Sequence, residues 1–293
     1  LLDVSYVGTR GERLLVNSIN LNQSLPGAGS QNPRRPYNTL NPNLVNLSYR
    51  TNSGDSKYES LQVKLDKRLS HGLVFGVAYT YSSYLSDVGL PNGGGNSDIQ
   101  NDFCIRCNWG PTPDDYTHVF TLSHVYQLPF GRGRQHLAQG PAAWILGNWD
   151  INGIWSAHTG GRFTPVLGTN VSNSSGGGTQ RPNRVASGNL PAGQQSIYHW
   201  FDTSAFVAPP LYSFGNSGTG ILTGPGYFDL DLGIVRMIPI TERIALNIRG
   251  EAFNALNRSN FSNPNATIGT GPAGIISATQ PARIIQLAAK IVF

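Results

Sequence analysis

The sequence RIIQLAAKIVF, from Arg283 to Phe293, decides the fold of this chain. Apolar side chains occupy every second position in it: Ile285, Leu287, Ala289, Ile291 and Phe293. Because side chains alternate between the two faces of a β-strand, this spacing predicts a strand with one continuous apolar face. A tilted strand of about ten residues is long enough to cross the hydrocarbon layer of a membrane, although an edge strand of a soluble β-sandwich has the same pattern.

The composition favours an all-β fold. Of the 293 residues, 35 are Gly and 19 are Pro, and both residue types form turns and interrupt helices. Only 13% of the residues are charged, and no apolar run reaches the length of about 18 that a membrane-spanning helix requires. Leu1 already lies in a predicted strand, without a signal peptide before it, so we expect the C-terminal portion of a longer protein.

Period-two alternation predicts eight strands. They are Leu1–Gly8, Tyr58–Leu69, Leu73–Tyr84, Tyr116–Leu128, Trp149–His158, Tyr227–Met237, Arg243–Asn254 and Arg283–Phe293. In Leu73–Tyr84 the large apolar side chains fall on one face and small or polar side chains on the other. This pattern fits a sandwich whose apolar face is buried, and equally a membrane barrel whose apolar face contacts lipid.

The connections between the predicted strands alternate in length. Four are long, namely Thr9–Ser56, Leu85–Asp115, Thr159–Pro225 and Ala255–Pro281, whereas the turns Ser70–Gly72 and Pro239–Thr241 are short. Outer-membrane barrels have long extracellular loops and short periplasmic turns, and soluble domains seldom contain several long irregular loops. We therefore predict the C-terminal portion, about eight strands, of an antiparallel up-and-down transmembrane β-barrel, with Phe293 at the periplasmic end.

Six motifs occur in a recognisable order. They are SYVGTRG (Ser5–Gly11), LPFGRGR (Leu128–Arg134), FDTSAFVAPP (Phe201–Pro210), GPGYFDLDLGIVR (Gly224–Arg236), ITERIALNIRGE (Ile240–Glu251) and GEAFNALNRSNFSNP (Gly250–Pro264). In this order they resemble the Oar-like TonB-dependent outer-membrane receptors. The chain end also resembles the C-terminal assembly signal of bacterial outer-membrane barrels, with matches at Gln286, Ile291 and Phe293 and with Ala288 in place of a glycine.

The resemblance implies a role in ligand uptake. Residues 1–293 would be about the last eight strands of a barrel of about 22 strands, without its N-terminal plug and TonB-contacting segment. The implied location is the bacterial outer membrane. The implied partners are outer-membrane lipid, the barrel-assembly machinery, the TonB complex through the missing N-terminal region, and an extracellular ligand of unknown identity. No cofactor is implied.

No enzyme motif occurs: GxSxG, HExxH and the phosphate-binding P-loop are all absent from the sequence. We therefore expect no catalytic activity. The best acidic cluster is Asp229 and Asp231 beside Arg249 and Glu251 on neighbouring predicted strands. Two carboxylates can serve a glycosidase, but all four residues share the face opposite the apolar side chains. The pattern favours an ion-pair network facing the lumen of a barrel.

The two cysteines, Cys104 and Cys107, form one CxxC motif. A zinc site needs two more ligands, and the nearest candidates, His118 and His124, lie on a predicted strand, so a local disulfide is favoured. The net charge of +5 comes from scattered basic residues rather than one stripe. Nucleic acid is therefore not an expected partner.

Aromatic residues and one polar loop are the remaining candidates for ligand contact. Six aromatic side chains suggest an interfacial girdle in preference to a sugar-stacking surface: Tyr79, Tyr81, Tyr84, Trp149, Trp155 and Tyr227. The segment Asn170–Gln180, rich in Ser and Gly, is predicted to be a flexible solvated loop in preference to a ligand-contacting one.

Two other classes of function also fit the sequence. In the first, the chain is a closed eight-stranded barrel that acts as an adhesin or structural anchor, which requires the first strand to pair with the last. In the second, it is a secreted β-sandwich that binds or cleaves glycans, which requires the large apolar side chains to be buried in a core.

Overall fold

The computed structural model describes residues 1–88, 99–137, 139–176 and 178–293, and its main feature is one antiparallel sheet. The long strands are β1 (Leu2–Asn20), β2 (Ser48–Ser70), β3 (Leu73–Ser86), β4 (His118–Gln127), β5 (Trp149–His158), β6 (Tyr227–Pro239), β7 (Ala245–Phe253) and β8 (Ile284–Val292). Each pairs with the next strand along the chain. The predicted antiparallel up-and-down β architecture is thus confirmed.

The sheet is open. β1 and β8 stand at opposite ends of the strand order, and no ladder joins these two described strands. This observation goes against the closed eight-stranded barrel, since that alternative requires them to pair. An open sheet has two strand edges with unpaired N–H and C=O groups.

Short elements lie in the connections. Among the described residues these are the two-residue strands Gly110–Pro111, Arg162–Phe163, Val166–Leu167, Asn183–Arg184, Phe206–Val207, Leu222–Thr223 and Thr267–Ile268, the 3₁₀ turns Asn32–Arg34, Ile105–Asn108 and Thr203–Ala205, and the helix α1 (Pro141–Leu146). Residues 89–98, within the predicted loop Leu85–Asp115, lie outside the described residues. No helix in the described ranges is both long and apolar enough to span a membrane.

The sequence prediction is wrong about the length of the first two strands. β1 continues well beyond Gly8, and β2 begins ten positions before Tyr58, at Ser48. The register of this pair shifts three times after Gly11, and Arg13 has a φ of 57°. Each shift inserts residues that break the period of two, so the alternation used for prediction disappears although the strands continue.

The buried apolar residues lie mainly in the loops. Of the buried apolar side chains in the described residues, only Val16, Ile19 and Leu230 belong to the eight long strands. Ile291 is 59% exposed, and Phe75 and Val77 are only partly buried. This distribution excludes the β-sandwich alternative, because a sandwich buries the apolar faces of its strands against a second sheet.

Candidate functional site

One face of the sheet is apolar across six neighbouring strands. The register places in one row Leu2, Leu65, Val77, Leu122, Trp155 and Leu230. Along each strand the side chains two positions away share this face, as Val4, Val63 and Tyr79 do. No second sheet packs against this one within the part of the chain that the structure describes. A continuous apolar band on such a sheet is typical of a surface in contact with lipid.

The opposite face is polar. The next row along the strands consists of Asp3, Lys64, Ala78, Thr121, Ser156 and Asp229. Five of these six side chains are charged or carry a hydroxyl group, and Ala78 is the only aliphatic one. Alternation between an apolar and a polar face is what a transmembrane barrel with an aqueous lumen requires.

The long connections fold together at one end of the sheet. One apolar cluster joins two of these loops, and its buried members are Leu167, Phe201, Ala205, Phe206, Leu222 and Ile268. A second cluster joins the end of β1 to the β3–β4 loop and contains Val16, Ile19, Val88 and Ile99. These clusters give the long-loop end a packed core of its own, so it presents a shaped surface.

A cavity of about 300 Å³ lies beneath these loops. Its lining includes Asp87, Asn108, Thr112, Arg162, Phe163 and Asn263. The Arg162 Nε donates to Asp115 Oδ2 at 3.1 Å, and its Nη1 donates to Thr223 Oγ1 at 2.7 Å. The sequence did not predict this group because its members come from separate loops and, apart from Asn263 in GEAFNALNRSNFSNP, match no motif. Only the folded chain brings them together.

A family model described as an outer membrane beta barrel domain matches residues 1–286. The chain belongs to this family. The outer membrane transporter YddB from Escherichia coli has a similar structure, with a TM-score of 0.52 and 11% sequence identity. The match covers 99% of this chain but only 30% of that chain, and at this identity it shows the fold alone. No curated protein sequence matches the chain.

Membership of the outer membrane beta barrel domain family confirms the predicted location, the bacterial outer membrane. It also assigns the two faces of the sheet. In a barrel of this family the apolar row through Leu122 contacts lipid, and the polar row through Thr121 faces the lumen. The apolar and polar faces are accordingly called the lipid face and the lumen face.

The predicted charge network in the lumen forms only in part. Asp229, Asp231, Arg249 and Glu251 share the lumen face, but the ion pair observed within this group joins Arg249 Nε to Glu251 Oε1 at 4.0 Å. Arg249 pairs with Val235, four residues along β6 from Asp231, which is about 13 Å at the rise of a strand. Asp231 instead accepts a hydrogen bond from the Asn254 amide at 2.9 Å.

The predicted aromatic girdle also needs correction. Tyr79, Tyr81, Trp149 and Trp155 belong to the lipid face, and Trp149 lies at the short-turn end. Tyr84 and Tyr227 belong to the lumen face instead: Tyr84 packs edge-to-face on Tyr58, and Tyr227 stacks on His158 with 5.0 Å between ring centroids. An aromatic residue near a strand end can belong to either face of the sheet. Its face depends on whether it lies an odd or an even number of residues from a lipid-facing side chain.

The segment Asn170–Gln180, of which residue 177 is not described, is solvated only in part. Asn170, Gly176 and Thr179 are exposed, but the prediction of a solvated loop is wrong for the buried residues. Ser172, Ser174 and Gln180 are buried. Ser175 donates its amide to Ser24 Oγ at 2.7 Å, and the amide of Ser24 donates back to Ser175 Oγ at 3.0 Å. Because these groups are polar, the sequence resembles a loop, although their hydrogen bonds allow them to be buried.

Cys104 and Cys107 form a disulfide at the β3–β4 loop. Between them, the Arg106 guanidinium lies 3.9 Å from the ring centroid of Trp109 and 3.4 Å from a carboxylate oxygen of Asp87. No cluster of three or more metal-binding side chains occurs in the described ranges.

The hydroxyl of Tyr79 and Nδ1 of His118 share a hydrogen bond of 2.7 Å.

The residues of the predicted assembly signal lie on the edge strand β8 and just beyond it. Gln286 pairs with Glu251 on the lumen face, and Ile291 pairs with Leu246 on the lipid face. Phe293 is 97% exposed. The segment is therefore open to a partner along its free edge and at its end.

Proposed function

We propose that residues 1–293 form the C-terminal part of the barrel of a TonB-dependent receptor of the Oar-like type. In this role the extracellular loops bind a ligand, and energy delivered through TonB drives its passage across the outer membrane. The barrel makes and breaks no chemical bond, and it uses no cofactor. The observation that carries this proposal is the open sheet of eight long strands, in a chain whose structural match covers 30% of a transporter chain.

The free edges support the proposal energetically. About five backbone groups on each edge would lie unpaired in hydrocarbon, at a cost of several kcal/mol apiece. No ladder joins β1 to β8 among the described strands, so these two edges do not satisfy each other. Additional strands of a larger barrel would pair with both edges and remove this cost.

The cavity beneath the loops supports a binding role and suggests a ligand class. Its volume of about 300 Å³ lies at the small end of the range for ligand pockets. Its charged side chains are already paired, Arg162 with Asp115 and Asp87 with Arg106. A small uncharged ligand therefore fits better than an ion, because an ion would have to compete with these pairs.

Two partners follow from the proposal. TonB would contact a segment upstream of residue 1, and the barrel-assembly machinery would recognise β8 with Gln286, Ile291 and Phe293. The free edge of β8 suits recognition by strand addition, in which a second strand completes the backbone hydrogen bonds.

The test measures binding of the complete gene product, purified from outer membranes, to the purified periplasmic domain of TonB. We expect saturable binding that disappears when the segment upstream of the barrel is deleted. Absence of binding would contradict the TonB proposal. If residues 1–293 alone also folded as a heat-modifiable monomer in liposomes, a small closed barrel that serves as an adhesin or anchor would be favoured.

A further inference from the structure

The helix α1 is held against the outer wall at the short-turn end of the sheet. It lies in the connection from β4 to β5. Arg236 of β6 donates from Nη1 to the carbonyl oxygen of Ile145 at 2.9 Å, and from Nη2 to that of Trp144. The indole nitrogen of Trp149 donates to the same Ile145 oxygen at 3.2 Å. Three hydrogen bonds thus fix the end of α1 to two strands.

These two anchoring side chains belong to the lipid face. Trp149 and Arg236 are paired in the register, and each lies an even number of residues from Trp155 and Leu230 of the apolar row. The Arg236 guanidinium lies 5.6 Å from the ring centroid of Trp149. α1 therefore lies outside the barrel wall, at the level where the apolar band ends.

α1 exposes three consecutive apolar side chains. Trp144 is 70% exposed, Ile145 58% and Leu146 56%. Such a run is unfavourable in water, and packing against the sheet does not explain it. Beside a lipid-facing wall it has a natural environment, because tryptophan and aliphatic side chains on short helices insert at the boundary between headgroups and acyl chains.

The same end of the sheet has an excess of basic residues. Segments 66–72, 128–150 and 236–243 contain six Lys or Arg residues and three acidic residues, Asp66, Asp150 and Glu242, whereas the whole chain has 21 basic and 16 acidic residues. The six basic residues are Lys67, Arg68, Arg132, Arg134, Arg236 and Arg243. The ratio of basic to acidic residues is therefore higher at this end than in the chain as a whole, and this end lies where the phospholipid headgroups are.

A cavity of about 650 Å³ lies between α1 and the end of β6. Arg132, Trp144, Arg236 and Pro239 all line it. Among the ion pairs of the described residues, neither Arg132 nor Arg236 has a carboxylate partner. The cavity thus combines two cations without counter-ions, an aromatic side chain and an opening to lipid.

We propose that α1 and this cavity bind an anionic phospholipid of the periplasmic leaflet. Trp144, Ile145 and Leu146 enter the boundary of the acyl chains, while Arg132 and Arg236 attract the phosphate of the headgroup, whose negative charge no cationic group offsets in an anionic lipid. Charge complementarity selects an anionic lipid over a zwitterionic one. This inference depends on the membrane location of the protein and not on ligand uptake or on TonB.

The experiment is a lipid titration of the complete gene product, purified in detergent and observed by native mass spectrometry. The two probes are phosphatidylglycerol and phosphatidylcholine of identical acyl chains. We expect phosphatidylglycerol to be retained at least about tenfold more tightly, and Arg132→Gln to weaken its binding about fivefold, the usual contribution of one arginine near an anionic surface. Trp144→Ser should weaken the binding of both lipids.

The matched control is Arg50→Gln, because Arg50 is an exposed arginine at the long-loop end of β2. It should leave lipid binding unchanged. Equal retention of the two lipids would overturn the proposal, as would an Arg50→Gln effect as large as that of Arg132→Gln. Heat-modifiable migration on gels checks that each variant is folded, and TonB binding measured on the same sample separates this inference from the proposed function.

Discussion

Leu122→Arg provides the sharpest test of which face of the sheet contacts lipid. Leu122 lies at the fifth position of the ten-residue strand β4. With a rise of about 3.4 Å per residue and a tilt of about 40°, β4 spans about 25 Å of membrane thickness, and Leu122 lies within about 2 Å of its middle. An arginine at the midplane of a lipid-facing surface costs about 2 to 4 kcal/mol.

That cost corresponds to a loss of roughly 30- to 700-fold in the folding equilibrium constant. The control is Thr121→Arg, one residue away on the lumen face. Thr121 pairs with Ala78 and Ser156, whose small side chains leave room for an arginine that extends into water. We expect Thr121→Arg to cost less than about 1 kcal/mol, as an exposed substitution does.

The assay is guanidinium-driven unfolding of the complete gene product in phospholipid vesicles, with the folded fraction measured as the heat-modifiable band on gels. Leu122→Arg should lower the unfolding midpoint clearly, and Thr121→Arg should leave it almost unchanged. Equal losses in the two variants, or a larger loss for Thr121→Arg, would refute the assignment of the two faces.

Three further predictions concern the edges and the loops. Residues 1–293 alone should fail to insert into liposomes as a folded monomer, because both sheet edges are unpaired; monomeric, heat-modifiable insertion would contradict this. Phe201→Ala should destabilise the loop cluster by about 3 to 5 kcal/mol and speed proteolysis of the loops, whereas Val185→Ala, at a side chain 65% exposed, should not. Reduction of the Cys104–Cys107 disulfide should leave barrel unfolding unchanged, since it closes a very short loop; a clear shift of the unfolding midpoint would show a larger role.

The sequence predicts the strands well where alternation is unbroken. For Trp149–His158 the predicted and observed bounds are identical, and for Leu73–Tyr84 the strand begins where predicted and extends only to Ser86. In β1 the prediction stops at Gly8 because the later register shifts destroy the period of two. Alternation is a local signal, and a bulge removes it without ending the strand.

The sequence predicts the candidate site less well than it predicts the strands. Asp231 and Arg249 share a face, as their positions predict, but the register of β6 with β7 separates them along the strands. The cavity around Arg162 and the contact between α1 and Arg236 join segments far apart in the chain. No motif encodes such contacts, because each depends on how whole loops pack.

The sequence by itself determined that this chain forms amphipathic strands with long and short connections in alternation, because side-chain parity and turn residues are local properties. Only the tertiary structure decided that the sheet stays open, that Ser172, Ser174, Ser175 and Gln180 of the polar segment Asn170–Gln180 are buried, and that α1 lies on the outer wall. These features depend on strand register and on hydrogen bonds between distant residues, and neither of these can be read from local periodicity.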